Sequence, residues 1–310
     1  MINVRLRRKR AQKEKWIGRL RKTEVTKEEK KQSFFWMQMK KNKLKGILFA
    51  MTAAIFWGFS GNCGQYLFSY KNMDPTWLTA CRLLIAGSIL CIFARFTEKD
   101  RLAILQNKRD IIMLMAFSII GLAFCQYTYL LTISYSNAGT ATVLQYLGPV
   151  FLLLFTCLTA KRWPRFLEIV AILLALGGTF LLATHGKMGT LVLEKRVLVW
   201  GIISAVSLML YTIMPEGLVK KYGSTVVTAY AMLFGGVLFS LMLPIWHCEA
   251  IWDLSAVLAL LGVVLPGTAI AYLLYLKAVA LIGPLKTSLF ATVEPLAAMF
   301  FSSVWLGTSF

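Results

Sequence analysis

The chain has 310 residues, of which 58% are hydrophobic and 15% charged, whereas soluble domains carry roughly 45–50% apolar and 25% charged residues. Uncharged stretches such as 46–68 have the length of a membrane-spanning helix, which needs about 18 apolar residues or more. Together these features exclude a soluble globular domain and predict an all-α integral membrane protein. The net charge is +20, and beside membrane spans it favours contact with anionic lipid headgroups over nucleic acid.

Half of the positive charge lies at the amino terminus, since residues 1–45 contain 17 of the 34 Lys and Arg residues. We expect residues 1–43 to be a disordered basic arm in the cytoplasm. They lack the apolar core and small-residue cleavage site of a signal peptide. Because Met37 and Met39 directly precede the apolar tract, an over-extended gene start within residues 1–38 is the alternative expectation.

Nine apolar segments are predicted to be membrane-spanning helices, five before a polar linker at 185–196 and four after it. The two halves of the chain are therefore residues 44–184 and residues 197–310. Asp74 and Pro75 open the second span, because Asp caps a helix and Pro fits its first turn. The predicted spans are 44–68, 75–96, 111–131, 138–160, 165–184, 197–214, 224–246, 254–276 and 286–306.

The two halves resemble each other, which is the signature of an internal repeat. A shift of 146 positions places Tyr129 on Tyr275 and Pro149 on Pro295, and a shift of 149 places residues 75–80 on residues 224–229. The first half has five spans and the second has four. By the repeat, a tenth span is missing, so we expect the sequence to be a fragment, and a protein that ends early is the alternative.

The Lys and Arg residues of the short loops predict the orientation of the spans. They are concentrated in the loops that share a face with the amino terminus, which places that terminus in the cytoplasm of a multi-pass cell-membrane protein. An odd number of spans in each repeat makes the second half inverted relative to the first. Inverted repeats with a site near the midplane are typical of secondary transporters that work by alternating access.

Four tracts resemble the drug/metabolite transporter superfamily, specifically its EamA-type permeases. They are KGILFAMTAAIFWGFSG, PTWLTACRLLIAG, SNAGTATVLQYLGPVF and GPLKTSLFATVEPLAAMF. The resemblance covers residues 44–306 and implies ten helices in two inverted five-helix repeats, with both termini in the cytoplasm. It also implies export or exchange of amino acids and related small metabolites. The basic arm and the absence of a tenth helix are departures from that pattern.

Glu294 is the strongest candidate for a functional residue. It lies about eight residues into the ninth predicted span, where a carboxylate is costly unless it faces the bundle interior, a cavity or a partner. Pro295 removes a helix donor, so a helix break accompanies the charge, and Gly148 with Pro149 mark the corresponding break in the first half. Burial disfavours the ionised form of a carboxyl group, which suits proton coupling. The alternative is a clasp between two helices.

Other polar residues in the spans are candidates for a substrate pathway. Arg82 lies two turns inside the second span and has three alternatives: binding a substrate carboxylate, pairing with Glu294, or extending to the interface. Tyr129 and Tyr275 lie at predicted span ends and fit an interfacial aromatic belt better. The remaining pathway candidates are Trp57, Asn62, Gln126, Tyr146 and Tyr272.

Several chemistries have no counterpart in the sequence. The chain has no Walker phosphate-binding loop, no H-E-x-x-H pair and no C-x-x-C among its six cysteines, so we expect no cofactor and no metal. We therefore predict a secondary transporter, an exporter or exchanger of small organic metabolites such as amino acids, with protons as a candidate coupling ion. The sequence leaves open a homodimer, and the alternative functions are a membrane-embedded enzyme or a sensor without transport activity.

Overall fold

The structure is a computed structural model that describes residues 2–98, 100–184, 193–243 and 248–307. All regular elements in these ranges are helical, which confirms the all-α class. The chain divides into two units, residues 1–45 and residues 46–310, and the site described below lies in the second unit.

We number the long helices in chain order, counting a helix with an internal irregularity once. A short 3-10 turn, Ala103–Leu105, lies between the second and third. The part of the first helix that could cross a membrane is Gln38–Lys71. The helices are α1 (Ile2–Lys71), α2 (Pro75–Thr97), α3 (Lys108–Tyr135), α4 (Ala138–Thr159), α5 (Phe166–Thr184), α6 (Lys195–Tyr222), α7 (Ser224–Met242), α8 (Leu254–Ile282) and α9 (Pro284–Leu306).

Eight helices in the described ranges are long and apolar enough to cross a membrane, and they coincide with eight of the nine predicted spans. The predicted fifth span corresponds to α5. The nine-span count, the ten-helix fold and the domain boundaries stay predictions. Residues 2–43, where we expected disorder, have helical backbone, and they are rich in Lys, Arg, Glu and Gln, which favour helix. Most of the predicted linker, residues 185–192, lies outside the described residues.

The ends of the helices follow from local sequence. The Asp74 carboxylate accepts hydrogen bonds from the backbone amides of Thr76 and Trp77 at 2.7 and 2.9 Å, and Pro75 occupies the first turn of α2. α8 ends at Ile282 because Gly283 has a φ of +82°, a conformation that favours glycine. Pro284 then opens α9.

Two helices contain a π-helical segment, Phe117–Ala123 in α3 and Leu265–Ile270 in α8. The two segments occupy equivalent places in the two halves. Pro266 explains the second one in part, because proline lacks the backbone donor that an α-helix needs. Such segments change the direction of side chains and free backbone carbonyls, and they are frequent at functional sites.

The two halves are packed against each other along several helices. α2 packs along α7, α3 and α4 pack on α6, and α9 packs on α4. Gly87 of α2 allows one of these close approaches, because a Cβ there would lie 2.6 Å from the backbone nitrogen of Leu233. In lipid, where helix association depends on close packing, small residues at such contacts are common.

Candidate functional site

The break in α9 exposes a backbone carbonyl inside the bundle. A 3-10 turn, Ala291–Val293, interrupts the helix, and an α-helix resumes at Glu294. Because Pro295 has no N–H, the carbonyl of Ala291 lacks its usual helical donor. The hydroxyl of Tyr146 donates to this oxygen instead. α4 has a similar interruption, between Gln145 and Gly148.

Glu294 is buried, with 2% of its surface exposed, and its Oε2 lies 2.9 Å from the Tyr146 hydroxyl. A tyrosine hydroxyl carries a single hydrogen, whereas a carbonyl and an ionised carboxylate only accept hydrogen bonds. If Tyr146 donates to the carbonyl of Ala291, its contact with Glu294 is a hydrogen bond only when Glu294 is protonated and donates. The geometry accommodates a protonated carboxyl group that donates to Tyr146, and equally an ionised carboxylate that accepts the hydrogen of Tyr146.

Glu294 lines a small cavity between the two halves of the chain. The space available to the centre of a water-sized sphere is about 20 Å³, which holds a water molecule but no metabolite. The lining side chains come from seven helices of both halves. They are Trp57, Ser60, Arg82, Cys125, Tyr129, Gln145, Leu208, Tyr272 and Glu294.

Arg82 lies on the same cavity and is 2% exposed. Its Nε donates to Thr268 Oγ1 at 2.8 Å, and its Nη2 lies 3.5 Å from the carbonyl oxygen of Gly267. Both partners belong to the π-helical segment of α8. The burial shows that the interface alternative for Arg82 is wrong: the carbonyl and hydroxyl groups of an irregular helix segment hold the guanidinium inside the bundle. No ion pair joins Arg82 to Glu294 among the described residues.

An aromatic cluster surrounds Trp57 next to the cavity. The Trp57 ring centroid lies 5.0 Å from that of Tyr272, 4.9 Å from that of Tyr275 and 6.4 Å from that of Tyr211. The indole nitrogen of Trp57 is buried and has no hydrogen-bond partner in the described part of the chain. Trp57 thus offers an unsatisfied donor in the wall of the cavity.

The assignment of Tyr129 and Tyr275 to an interfacial belt is wrong, because both are buried. The Tyr129 hydroxyl lies 2.8 Å from Thr142 Oγ1, and the Tyr275 hydroxyl lies 3.0 Å from Thr212 Oγ1. Tyr129 also lines the cavity. Tyr129 and Tyr275 align with each other in the internal repeat, and this alignment was the sequence signal that distinguished them from the other tyrosines.

Two predicted pathway residues, Asn62 and Gln126, are buried but are not among the side chains that line the cavity. Asn62 Nδ2 donates to the carbonyls of Gly58 and Ala298, both at 2.9 Å, and so joins α1 to α9. Neither amide atom of Gln126 has a partner within the described ranges. Asn62 therefore has a packing contact between the halves, separate from the cavity.

Sequence reasoning missed Ser60, Cys125, Gln145 and Leu208 as cavity residues. Gln145 Nε2 donates to Ser204 Oγ at 2.6 Å, which links α4 to α6. Its position three residues before Gly148 and Pro149 was a usable signal, because a polar residue beside a helix break is unusual in an apolar span. Within the described residues, no group of three or more His, Cys, Asp or Glu side chains is placed to hold a metal ion.

Comparisons with known proteins agree on the kind of protein. The chain is 40% identical over 270 residues to the "Uncharacterized inner membrane transporter YicL" of Salmonella typhimurium, which covers 86% of this chain and 89% of the relative. It is 25% identical over 272 residues to an "Uncharacterized transporter" of Clostridium kluyveri, covering 86% of each. A solved crystal structure superposes with a TM-score of 0.64 at 17% identity, covering 85% of this chain and 89% of the other, which shows a shared fold.

The family comparison divides the chain as the internal repeat does. The model of the EamA-like transporter family matches residues 44–184 and again residues 195–310. The two matches fall on the two halves defined above and cover the helices that build the cavity. The chain belongs to the EamA-like transporter family.

Proposed function

We propose that the protein is a secondary transporter that exports or exchanges small organic metabolites such as amino acids by alternating access. The observation that carries the proposal is the pair of buried ionisable groups, Arg82 and Glu294, on one cavity between two repeated halves. Charged side chains within membrane spans are costly and are typical of substrate or proton pathways. The family and the transporter relatives support the transport function in its general form.

A proton is the proposed coupling ion. When the single hydrogen of Tyr146 goes to the Ala291 carbonyl, a protonated Glu294 donates to the Tyr146 oxygen, and this arrangement supports a proton at Glu294. Release of this proton leaves a carboxylate that needs a new partner, and a substrate ammonium group supplies one. A bound proton and a bound substrate are thereby alternatives at the same residue, which is the requirement for exchange.

Arg82 is the proposed partner of a substrate carboxylate. Its guanidinium is held by a hydroxyl and a carbonyl, so it keeps its positive charge and further donors for an anionic group. A cavity that admits only water has to enlarge before a metabolite binds. Binding therefore requires a conformation that is open to one side, as alternating access demands.

The test is transport by the purified full chain in proteoliposomes. A mixed pool of amino acids and other metabolites is followed by mass spectrometry with and without a pH gradient. We expect selective movement of one class that responds to the gradient. Glu294→Gln should abolish the response to the gradient, whereas Glu249→Gln, in an exposed loop, is the matched control and should preserve it.

Three other outcomes would change the conclusion. Selective movement that ignores the gradient would leave a facilitator and remove the proton from the mechanism. Normal coupled transport by Glu294→Gln would reduce Glu294 to a contact between helices. Absence of movement by correctly folded protein would favour the sensor or the membrane-embedded enzyme.

A further inference from the structure

Two ion pairs join the halves of the chain, among four ion pairs in the described residues. Lys71 Nζ lies 2.5 Å from Asp253 Oδ2, and Lys221 Nζ lies 2.6 Å from Asp110 Oδ2. In each pair, one residue belongs to the first half and the other to the second. The other two pairs, Lys220 with Glu216 and Arg162 with Glu168, each stay within one half.

The two pairs are counterparts in the internal repeat. Lys71 is the last residue of α1, the first helix of the first half, and Lys221 is the next-to-last residue of α6, the first helix of the second half. Asp253 caps α8, and Asp110 lies in the first turn of α3, and these are the third helices of their halves. The same contact is thus made twice, with the roles of the halves exchanged.

The pairs lie at opposite ends of the bundle. Between Lys71 and Asp110 the chain passes once across the bundle, through α2, which has 23 residues. A helix of that length spans about 34 Å at 1.5 Å per residue. One pair therefore lies at the end at which α1 finishes, and the other lies at the end at which α3 begins.

Each pair has a further polar or aromatic contact. Tyr222 donates to Asp110 Oδ2 at 2.6 Å, and the Ile251 amide donates to the carbonyl of Lys71 at 2.9 Å. The Lys ammonium groups lie near the rings of Tyr66 and Tyr222, 5.6 and 4.9 Å from their centroids. The hydrogen bond from Lys71 holds the pKa of the Asp253 carboxyl well below its usual range, so this carboxylate is ionised at neutral pH.

Both pairs are formed in the structure, and the cavity between them admits only water. A transporter that alternates must open one end while the other stays closed. We propose that Lys71–Asp253 and Lys221–Asp110 are equivalent latches at the two ends, of which one opens at each step of the cycle. This inference rests on the proposed alternating access, and it adds the residues that close each end.

Cys125 provides a native reporter for the test, because it lines the cavity and is 2% exposed. A positively charged methanethiosulfonate that cannot cross the membrane is applied from one side of oriented membrane vesicles, and modification of the Cys125 peptide is measured by mass spectrometry. Lys71→Gln should speed labelling from the Lys71 end, and Lys221→Gln should speed it from the other end. Because exposed ion pairs are weak, we expect changes of about 2- to 5-fold. Lys220→Gln, which breaks a pair within α6, is the matched control and should change neither rate.

Exchanging the two charges of a pair distinguishes loss of the ion pair from a general loss of stability. Lys71→Asp places two carboxylates together and should open that end further, whereas Lys71→Asp combined with Asp253→Lys should restore the wild-type rate. Labelling that is unchanged in both Gln variants, that rises from the same end in both, or that the exchange does not restore would overturn the proposal.

The labelling experiment needs no substrate, so it separates the latches from the transport function. If the two Gln variants speed Cys125 labelling from opposite ends but the protein moves no metabolite, the latch proposal stands and the proposed transport function is wrong. If the protein shows coupled transport but neither Gln variant changes the rate of Cys125 labelling, the transport function stands and the latch proposal is wrong.

Discussion

Tyr146 connects the two unusual features of the α9 break, the carbonyl of Ala291 and the carboxyl group of Glu294. A helix broken by Pro295 leaves an acceptor that must be satisfied away from water, because an unpaired polar group is costly in the membrane interior. The tyrosine hydroxyl satisfies it from the other half of the chain. In the proposed mechanism, protonation of Glu294 and closure of the bundle are linked through this one side chain.

This link predicts that Tyr146→Phe impairs coupling. The substitution removes the hydroxyl and leaves the carbonyl of Ala291 and the carboxyl group of Glu294 without this partner. Leaving a buried polar group unsatisfied costs about 1–3 kcal/mol, so we expect the gradient-driven flux to fall about fivefold or more. The measurement is flux in proteoliposomes with and without a pH gradient.

Tyr127→Phe is the control for this substitution, since Tyr127 packs against Trp200 and Phe239. It should retain normal coupling. Equal losses of gradient-driven and gradient-independent flux in Tyr146→Phe would contradict a role in coupling and would indicate a general defect in packing.

At the level of the helices, sequence reasoning succeeded where a side chain stands out in its span and failed at the ends of α3 and α8. Glu294, Arg82, Trp57 and Tyr272 were found because a charged or polar aromatic side chain stands out in an uncharged span. Tyr129 and Tyr275 were misplaced because the predicted spans ended at 131 and 276, whereas the helices end at Tyr135 and Ile282.

Hydropathy also does not reveal the π-helical segments of α3 and α8. The small cavity residues were missed for a different reason. Ser60 and Cys125 are common in apolar spans, where they pack between helices, and only the three-dimensional arrangement distinguishes the two that face the cavity.

Close packing of α2 on α7 predicts a large effect of a small substitution. Gly87→Val places a side chain where a Cβ would already lie 2.6 Å from the backbone nitrogen of Leu233, and a backbone atom cannot move aside as a flexible side chain can. Overpacking of this kind costs about 1–3 kcal/mol. Thermal denaturation in detergent should show a lower melting temperature.

Gly217→Ala is the matched control for Gly87→Val, because a Cβ at Gly217 would meet no atom within 4 Å apart from its chain neighbours and the adjacent backbone of its own helix. It should be neutral or slightly stabilising, since glycine within a helix costs roughly 0.5–1 kcal/mol relative to alanine. If both substitutions had the same effect on the melting temperature, the contact between α2 and α7 would not be tightly packed.

At the scale of the molecule, the repeats are related in sequence but interleaved in space. α2 has its main contact with α7, and α4 packs on both α6 and α9, so buried surface of each half is covered by the other. The cavity is likewise shared, because Arg82 and Glu294 belong to different halves. A single half has neither a complete site nor a covered packing surface.

Interleaving predicts that the halves fold only together. A chain divided within the predicted linker 185–196 should yield two fragments that co-purify when they are expressed together, and the complex should retain gradient-driven flux. Each fragment alone should be degraded or aggregate, because the faces of its helices that pack across the two halves would be exposed to lipid without their partner. The measurement is size-exclusion chromatography of each fragment and of the pair, followed by flux in proteoliposomes. A single fragment that is stable and monodisperse would contradict this dependence and would indicate that each repeat is a folding unit of its own.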